Sequence, residues 1–186
     1  MKSAALSLAA GLILALAGAA HAGIEIRQAA LAAGEEAITL SAELDIDIQP
    51  VLADVVARGV PLYLVLEFEL TRPRWYWFDE TVAARTLTYR LSYHALTRQY
   101  RLSTGALHQS FATLAEAVAV MSRLRDWPVA DKTAAAPGAA YQAGLRMRLD
   151  LTRLPKPIQV GAIGAAEWSL ASEWLRWSWR PEREAK

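Results

Sequence analysis

After its first apolar stretch the chain offers two histidines, His94 and His108, and hydrolytic chemistry based on a serine would need one of them as its base. No Gly-x-Ser-x-Gly elbow occurs. Ser92 and His94 fall two residues apart on an alternating segment, which sets them about 7 Å apart along a strand, too far for a hydrogen bond without distortion. Glu67 and Glu69 form an acid pair at the same spacing; it would serve acid/base chemistry in a cleft or lie as a solvated strand face. There is no cysteine and no His-x-x-x-His, and Asp45 with Asp47 lacks the calcium-loop pattern around it. Gly161 to Gly164, in VGAIGAA, has neither the spacing nor the lysine of a phosphate loop. The sequence therefore assigns no catalytic residue, no metal ligand and no cofactor.

The chain is rich instead in aromatic and arginine residues. Residues 72 to 80 read RPRWYWFDE, setting Trp75, Tyr76, Trp77 and Phe78 between Arg72 and Arg74 on one side and Asp79 and Glu80 on the other. At a strand end such a cluster packs a corner or presents aromatic faces to a ligand. Period two puts Trp75 and Trp77 on one face and Tyr76 and Phe78 on the other, so only one pair need be buried. Near the C-terminus, Trp177 and Trp179 share a face with Leu175, while Trp174 shares the other with Arg176 and Arg180. Arginine beside tryptophan makes a platform for a sugar ring, a peptide or a partner, or simply covers the indole. Arg72, Arg74, Trp75, Tyr76, Trp77, Trp174 and Arg176 are the candidate binding residues.

Strands must position these residues. Leu62, Leu64, Leu66, Phe68 and Leu70 alternate with Tyr63, Val65, Glu67, Glu69 and Thr71, the signature of a half-buried strand. Leu87 to Tyr93 and Leu145 to Leu151 repeat the pattern, with Arg146, Arg148 and Asp150 on the polar side of the latter. Ile24 to Leu31, Ala37 to Ile46, Gln99 to Ser103 and Glu173 to Arg180 are weaker strands. Acids on one polar face and arginines on others suit cross-strand ion pairs between antiparallel neighbours. Thr113 and Glu116 form a capping box for a helix to Arg125, and Pro50 to Arg58 is a shorter helix stopped by Gly59. The expected fold is mostly β (α+β), an antiparallel β-sandwich with two packed helices. Pro155 and Pro157 end the third strong strand and predict a stiff, extended exit. That exit predicts ion pairs of Asp150 with Arg72 or Arg74, and of Arg153 with Asp79 or Glu80.

Lys2, an apolar run from Ala4 to Ala20, and Ala20-His21-Ala22 read as a signal peptide cleaved after Ala22, with an uncleaved anchor as the alternative. Cutting 22 residues from 186 leaves 164, a length suited to one domain over 23–181 and a polar tail over 182–186. Lys2 is the only charge removed, so the 20 bases and 19 acids become 19 of each. No basic excess remains to attract nucleic acid. The expected compartment is the periplasm, with no stable membrane span after cleavage and no disulfides.

RPRWYWFDE, the stretch Tyr89 to Tyr100, Phe111 to Ala117, Arg148 to Pro157 and Ser172 to Trp177 together resemble a bacterial family catalogued as domain of unknown function 4390. The resemblance runs in order through most of the chain after Gly23. It implies an exported proteobacterial protein, with a link to an envelope sensor kinase system, and carries no catalytic residues over. The expected function is a non-enzymatic binding or adaptor domain whose partner is an envelope protein or sensor kinase. The alternative is an envelope hydrolase with an unrecognised acid-pair or Ser/His site.

Overall fold

A computed structural model describes residues 23–74, 76, 78–162 and 168–182. Residues 1–22, Trp75, Trp77 and the last four residues lie outside the described set, so the expected signal peptide and the two tryptophans receive no structural account. In chain order the elements are β1 (Ile24–Ala33), β2 (Ala37–Ile46), α1 (Pro50–Ala57), β3 (Leu62–Arg72), β4 (Glu80–His94), β5 (Gln99–Thr104), β6 (Leu107–Phe111), α2 (Leu114–Met121), β7 (Arg123–Asp131), β8 (Tyr141–Leu149), α3 (Lys156–Ala162) and β9 (Leu175–Trp179). The strands form two antiparallel sheets, β1-β2-β7 and β6-β5-β4-β3-β8-β9, packed as a sandwich.

Alternation decides what each sheet buries. Leu62, Leu64, Leu66, Phe68 and Leu70 of β3 are at most 2% exposed and meet Ile38, Leu40, Ala42 and Leu44 of β2 in one core. Glu67, Glu69 and Thr71, on the alternate positions, fall on the outer face. Burial at about 25 cal/mol per Å² makes this inner leucine row the main stabilising feature of the sandwich. β3 is central, flanked by β4 through Leu62↔Leu91 to Arg72↔Glu80 and by β8 through Leu64↔Leu149 to Thr71↔Gln142.

Both expected helices form, each short. Pro50 opens α1, Leu52 and Val56 are buried, and Gly59 takes φ +88° at its stop, a left-handed conformation that glycine adopts without cost. Thr113 caps α2 by accepting from the Glu116 N–H at 3.2 Å, and the Glu116 carboxylate accepts from the Ala112 N–H at 3.1 Å. This helix ends at Met121 rather than Arg125, because Arg123 to Asp131 is drawn into β7 beside β2. The exit after β8 also differs from expectation. Pro155 and Pro157 do not hold the chain extended; they stand at the start of α3, where missing N–H groups cost nothing.

The expected pairing of the two charged segments is overturned. β8 runs antiparallel to β3, so Asp150 lies opposite the beginning of β3: its N–H donates to the Tyr63 carbonyl at 2.8 Å. Arg72 is nine residues further along that strand, roughly 30 Å away. Asp150 instead caps its own 3-10 turn, accepting from the Thr152 N–H at 3.1 Å and the Thr152 hydroxyl at 2.6 Å. Its second oxygen pairs with Arg153 at 3.3 Å, and the Arg153 guanidinium lies over the Tyr63 ring, 5.0 Å from its centroid. At the other end of β3, Arg74 pairs with Glu80 at 2.5 Å, and Asp79 stands beside Glu80 in the same turn, remote from Arg153.

Asp150→Ala is expected to lower stability by about 1 kcal/mol through loss of the turn cap. A double-mutant cycle of Asp150→Ala with Arg74→Ala in urea should give no coupling beyond about 0.5 kcal/mol; a larger value would place the two charges together after all.

Candidate functional site

The outer face of the six-stranded sheet brings together the residues with chemical potential. Glu67 lies opposite Arg146 in the β3–β8 ladder, and Val65 lies opposite Arg148. Both guanidinium groups therefore converge on one carboxylate. Arg146 donates to Glu67 Oε2 from Nε at 3.0 Å and from a terminal nitrogen at 2.5 Å. Arg148 donates to Oε1 at 3.1 and 2.9 Å. Each oxygen of Glu67 is thus held by two donors of one arginine. Burial alone pushes the Glu67 carboxyl up, but the hydrogen bonds and charges of Arg146 and Arg148 outweigh it and hold the carboxyl below its ordinary range. A carboxylate kept ionised in this way is a poor general acid.

The second acid of the pair has its own partner. Glu69 meets Arg176 of β9 at 3.3 Å across Gly144 of β8, which lies opposite Glu69 in the β3–β8 ladder and opposite Arg176 in the β8–β9 ladder. A Cβ at Gly144 would stand 3.0 Å from Glu69 Cγ and 3.3 Å from Trp174 Cε3, so the glycine lets both side chains approach the sheet. Trp174 takes two cations over its ring: Arg146 at 4.8 Å and Arg176 at 5.3 Å from the centroid. The structure thus unites Trp174 and Arg176 with Glu67, Glu69, Arg146 and Arg148. Arginines cover the indole, which makes the surface mixed in character rather than a bare aromatic platform.

The other candidate residues do not join this cluster. Arg72 is the last residue of β3 and Glu80 the first of β4, so the strand does not continue through this stretch; Arg74 and Tyr76 lie between the two strands. Tyr76 and Phe78 are 66% and 85% exposed, so that pair does not fill a corner. Trp177 and Trp179 pack partly buried against the core, on the side opposite Arg176.

One serine–histidine contact escaped sequence reasoning. Ser103 and His108 are directly opposed on β5 and β6, and Ser103 Oγ lies 2.8 Å from His108 Nδ1. They are five residues apart across a tight turn, and only the hairpin register brings them together. His94 does not contact Ser92; its Nδ1 accepts from the Thr97 N–H at 3.4 Å, and Ser92 reaches toward the Arg101 carbonyl at 3.5 Å. Among the described residues no group of three or more His, Cys, Asp or Glu is placed to hold a metal ion.

Glu67→Gln should destabilise the fold by about 1–3 kcal/mol at neutral pH, because two partly buried arginines lose their counter-charge. Since folding depresses this carboxyl, its contribution is present above the ordinary value of 4.5 and is lost as pH falls through the folded value. Urea midpoints of wild type and Glu67→Gln should therefore converge on acidification; a difference that stays constant from neutral pH to well below 4.5 would refute this assignment.

Comparison with curated proteins finds no match, and neither does comparison with solved structures. A family model described as a domain of unknown function matches residues 21–178, which takes in every strand of both sheets except the last residue of β9. The chain belongs to this family, DUF4390.

Proposed function

We propose that the chain is an exported binding or adaptor domain that holds a partner on the outer face of its six-stranded sheet. The observation that carries the reading is the cluster of Trp174 with Arg146 and Arg176, braced by Glu67 and Glu69. Tryptophan and arginine are the residue types most enriched where binding energy concentrates. Here the acids and Gly144 fix their positions before any partner arrives, which lowers the entropic cost of binding. Glu67 and Glu69 lie on an open sheet face and are engaged by arginines, an arrangement suited to recognition rather than to proton transfer. The apolar N-terminal run with Ala20-His21-Ala22 supports export to the periplasm. The family resemblance supports an envelope protein, such as a sensor kinase, as the partner.

Ser103 and His108 support a second reading, an envelope hydrolase, through their 2.8 Å contact. On that reading Ser103→Ala abolishes function in complementation; on the first it leaves function intact.

A photocrosslinking residue at Ser178, exposed on the same face as Arg176, should yield a discrete partner adduct in cells. The same residue at Gln28, exposed on the three-stranded sheet, should not. Trp174→Ala with Arg176→Ala should remove the Ser178 adduct while the protein stays folded. Adducts of equal strength at both positions, or a Ser178 adduct indifferent to the double substitution, would overturn the proposal.

A further inference from the structure

The meander β4–β5–β6 is charged unlike the rest of the molecule. Bases and acids balance over residues 23–186, yet residues 81–115 hold Arg85, Arg90, Arg98 and Arg101 with no aspartate or glutamate. The ladders gather part of this charge on the outer face. Ser103 of β5 lies opposite Arg90 of β4 on one side and His108 of β6 on the other, and Arg101 lies opposite Ser92 and Ser110. These six alternate with the buried Tyr89, Leu91 and Leu102 and so point away from the core. Diagonal neighbours across a ladder stand about 7–8 Å apart, within reach of long side chains. Arg90, Arg101 and His108 therefore surround Ser103, which is only 7% exposed although it belongs to the outer face.

These cations differ from those of the Trp174 cluster. Arg146, Arg148 and Arg176 each engage a glutamate. Among the described residues neither Arg90 nor Arg101 meets a carboxylate. Glu67 lies opposite Thr86, four residues from Arg90 along β4, and is already held by two arginines. Asp150, on the far side of Tyr63, is engaged by Thr152 and Arg153. Arg90 donates from Nε to the Tyr63 hydroxyl at 3.3 Å, a neutral partner that orients the guanidinium and leaves its charge unbalanced. His108 is held by Ser103 at 2.8 Å. When the hydroxyl donates to Nδ1, the neutral ring carries its proton on Nε2 as a further donor.

We propose that this patch binds the terminal phosphate group of a soluble phosphate monoester. Guanidinium forks suit a tetrahedral oxyanion, and the bonds they make to it are charge-assisted. Two guanidinium groups, an imidazole and the Ser92 and Ser110 hydroxyls offer more donors than the two oxygens of a carboxylate accept. They match the three free oxygens and about two charges of a monoester. A lipid diester headgroup, with one charge and two free oxygens, leaves part of this set unused. The site lies on the half of the sheet away from β9 and does not depend on the partner proposed for the Trp174 cluster.

Inorganic phosphate is the probe, titrated at mildly alkaline pH into isotope-labelled protein, with sodium chloride holding the ionic strength constant. The amide signals of Ser103 and His108 should move along a saturating curve, while that of Gln28 on the three-stranded sheet stays in place. Arg90→Ala and Arg101→Ala should each weaken the affinity about tenfold, and Arg101→Lys, which keeps the charge, should lose less. Both arginines are exposed, and the spectrum itself reports that the variants fold. Trp174→Ala with Arg176→Ala should bind phosphate as the wild type does, which separates failure of this site from failure of the partner surface. Shifts that do not saturate or that are as large at Gln28, an affinity indifferent to both alanine substitutions, or binding to phosphatidylglycerol vesicles without saturable binding of free phosphate would each overturn the proposal.

Discussion

Glu67 is the point at which the two surfaces of the six-stranded sheet are tied together. It stands on β3 between Leu66 and Phe68, both at most 2% exposed, so the backbone that carries it is locked by the core. Its carboxylate in turn fixes Arg146 and Arg148, the two arginines of β8. Arg146 then covers Trp174, and Arg176, anchored by Glu69, covers the same ring. Packing on one face of a strand thus sets the position of charges on the other through backbone alternation alone.

This arrangement also explains why two glutamates and several arginines can share one face. Three guanidinium groups on neighbouring strands would repel one another without the two acids between them. With the acids present, each arginine has a defined partner and the cluster holds a single geometry. Gly144 contributes by absence: its missing side chain leaves room for Glu69 and Trp174 to lie against the sheet. The surface is ordered by contacts within the chain itself, and its cations are already satisfied. Discrimination among partners would then come from fit to a rigid pattern more than from net charge.

Much of this was legible in the sequence because alternation is a local signal. The inner leucines of β3 and the opposition of acids to arginines could be read directly, and the ladder paired Glu67 with Arg146 as antiparallel neighbours would. Elements that depend on distant partners were not legible. β6, at residues 107–111, has hardly any inner face of its own, and β7 was masked by the helical spacing that runs on from α2 into Leu124. The prolines after Leu154 failed as a guide because the same restriction of φ that favours an extended chain also favours a helix start. The misplaced pairing of Asp150 had a topological cause: nothing in the local pattern states which end of β3 the end of β8 meets. Ser103 and His108 were hidden for a related reason, since hairpin register rather than spacing opposes them.

The central claim, that Glu67 holds Arg146 and Arg148 in fixed geometry, is tested most directly by NMR of the arginine side chains. At neutral pH the Nε–H signals of Arg146 and Arg148 should be resolved, shifted from those of exposed arginines and slow to exchange with water. They should revert to the exposed pattern in Glu67→Gln. Signals for both residues that already match exposed arginines in the wild-type protein would contradict the account.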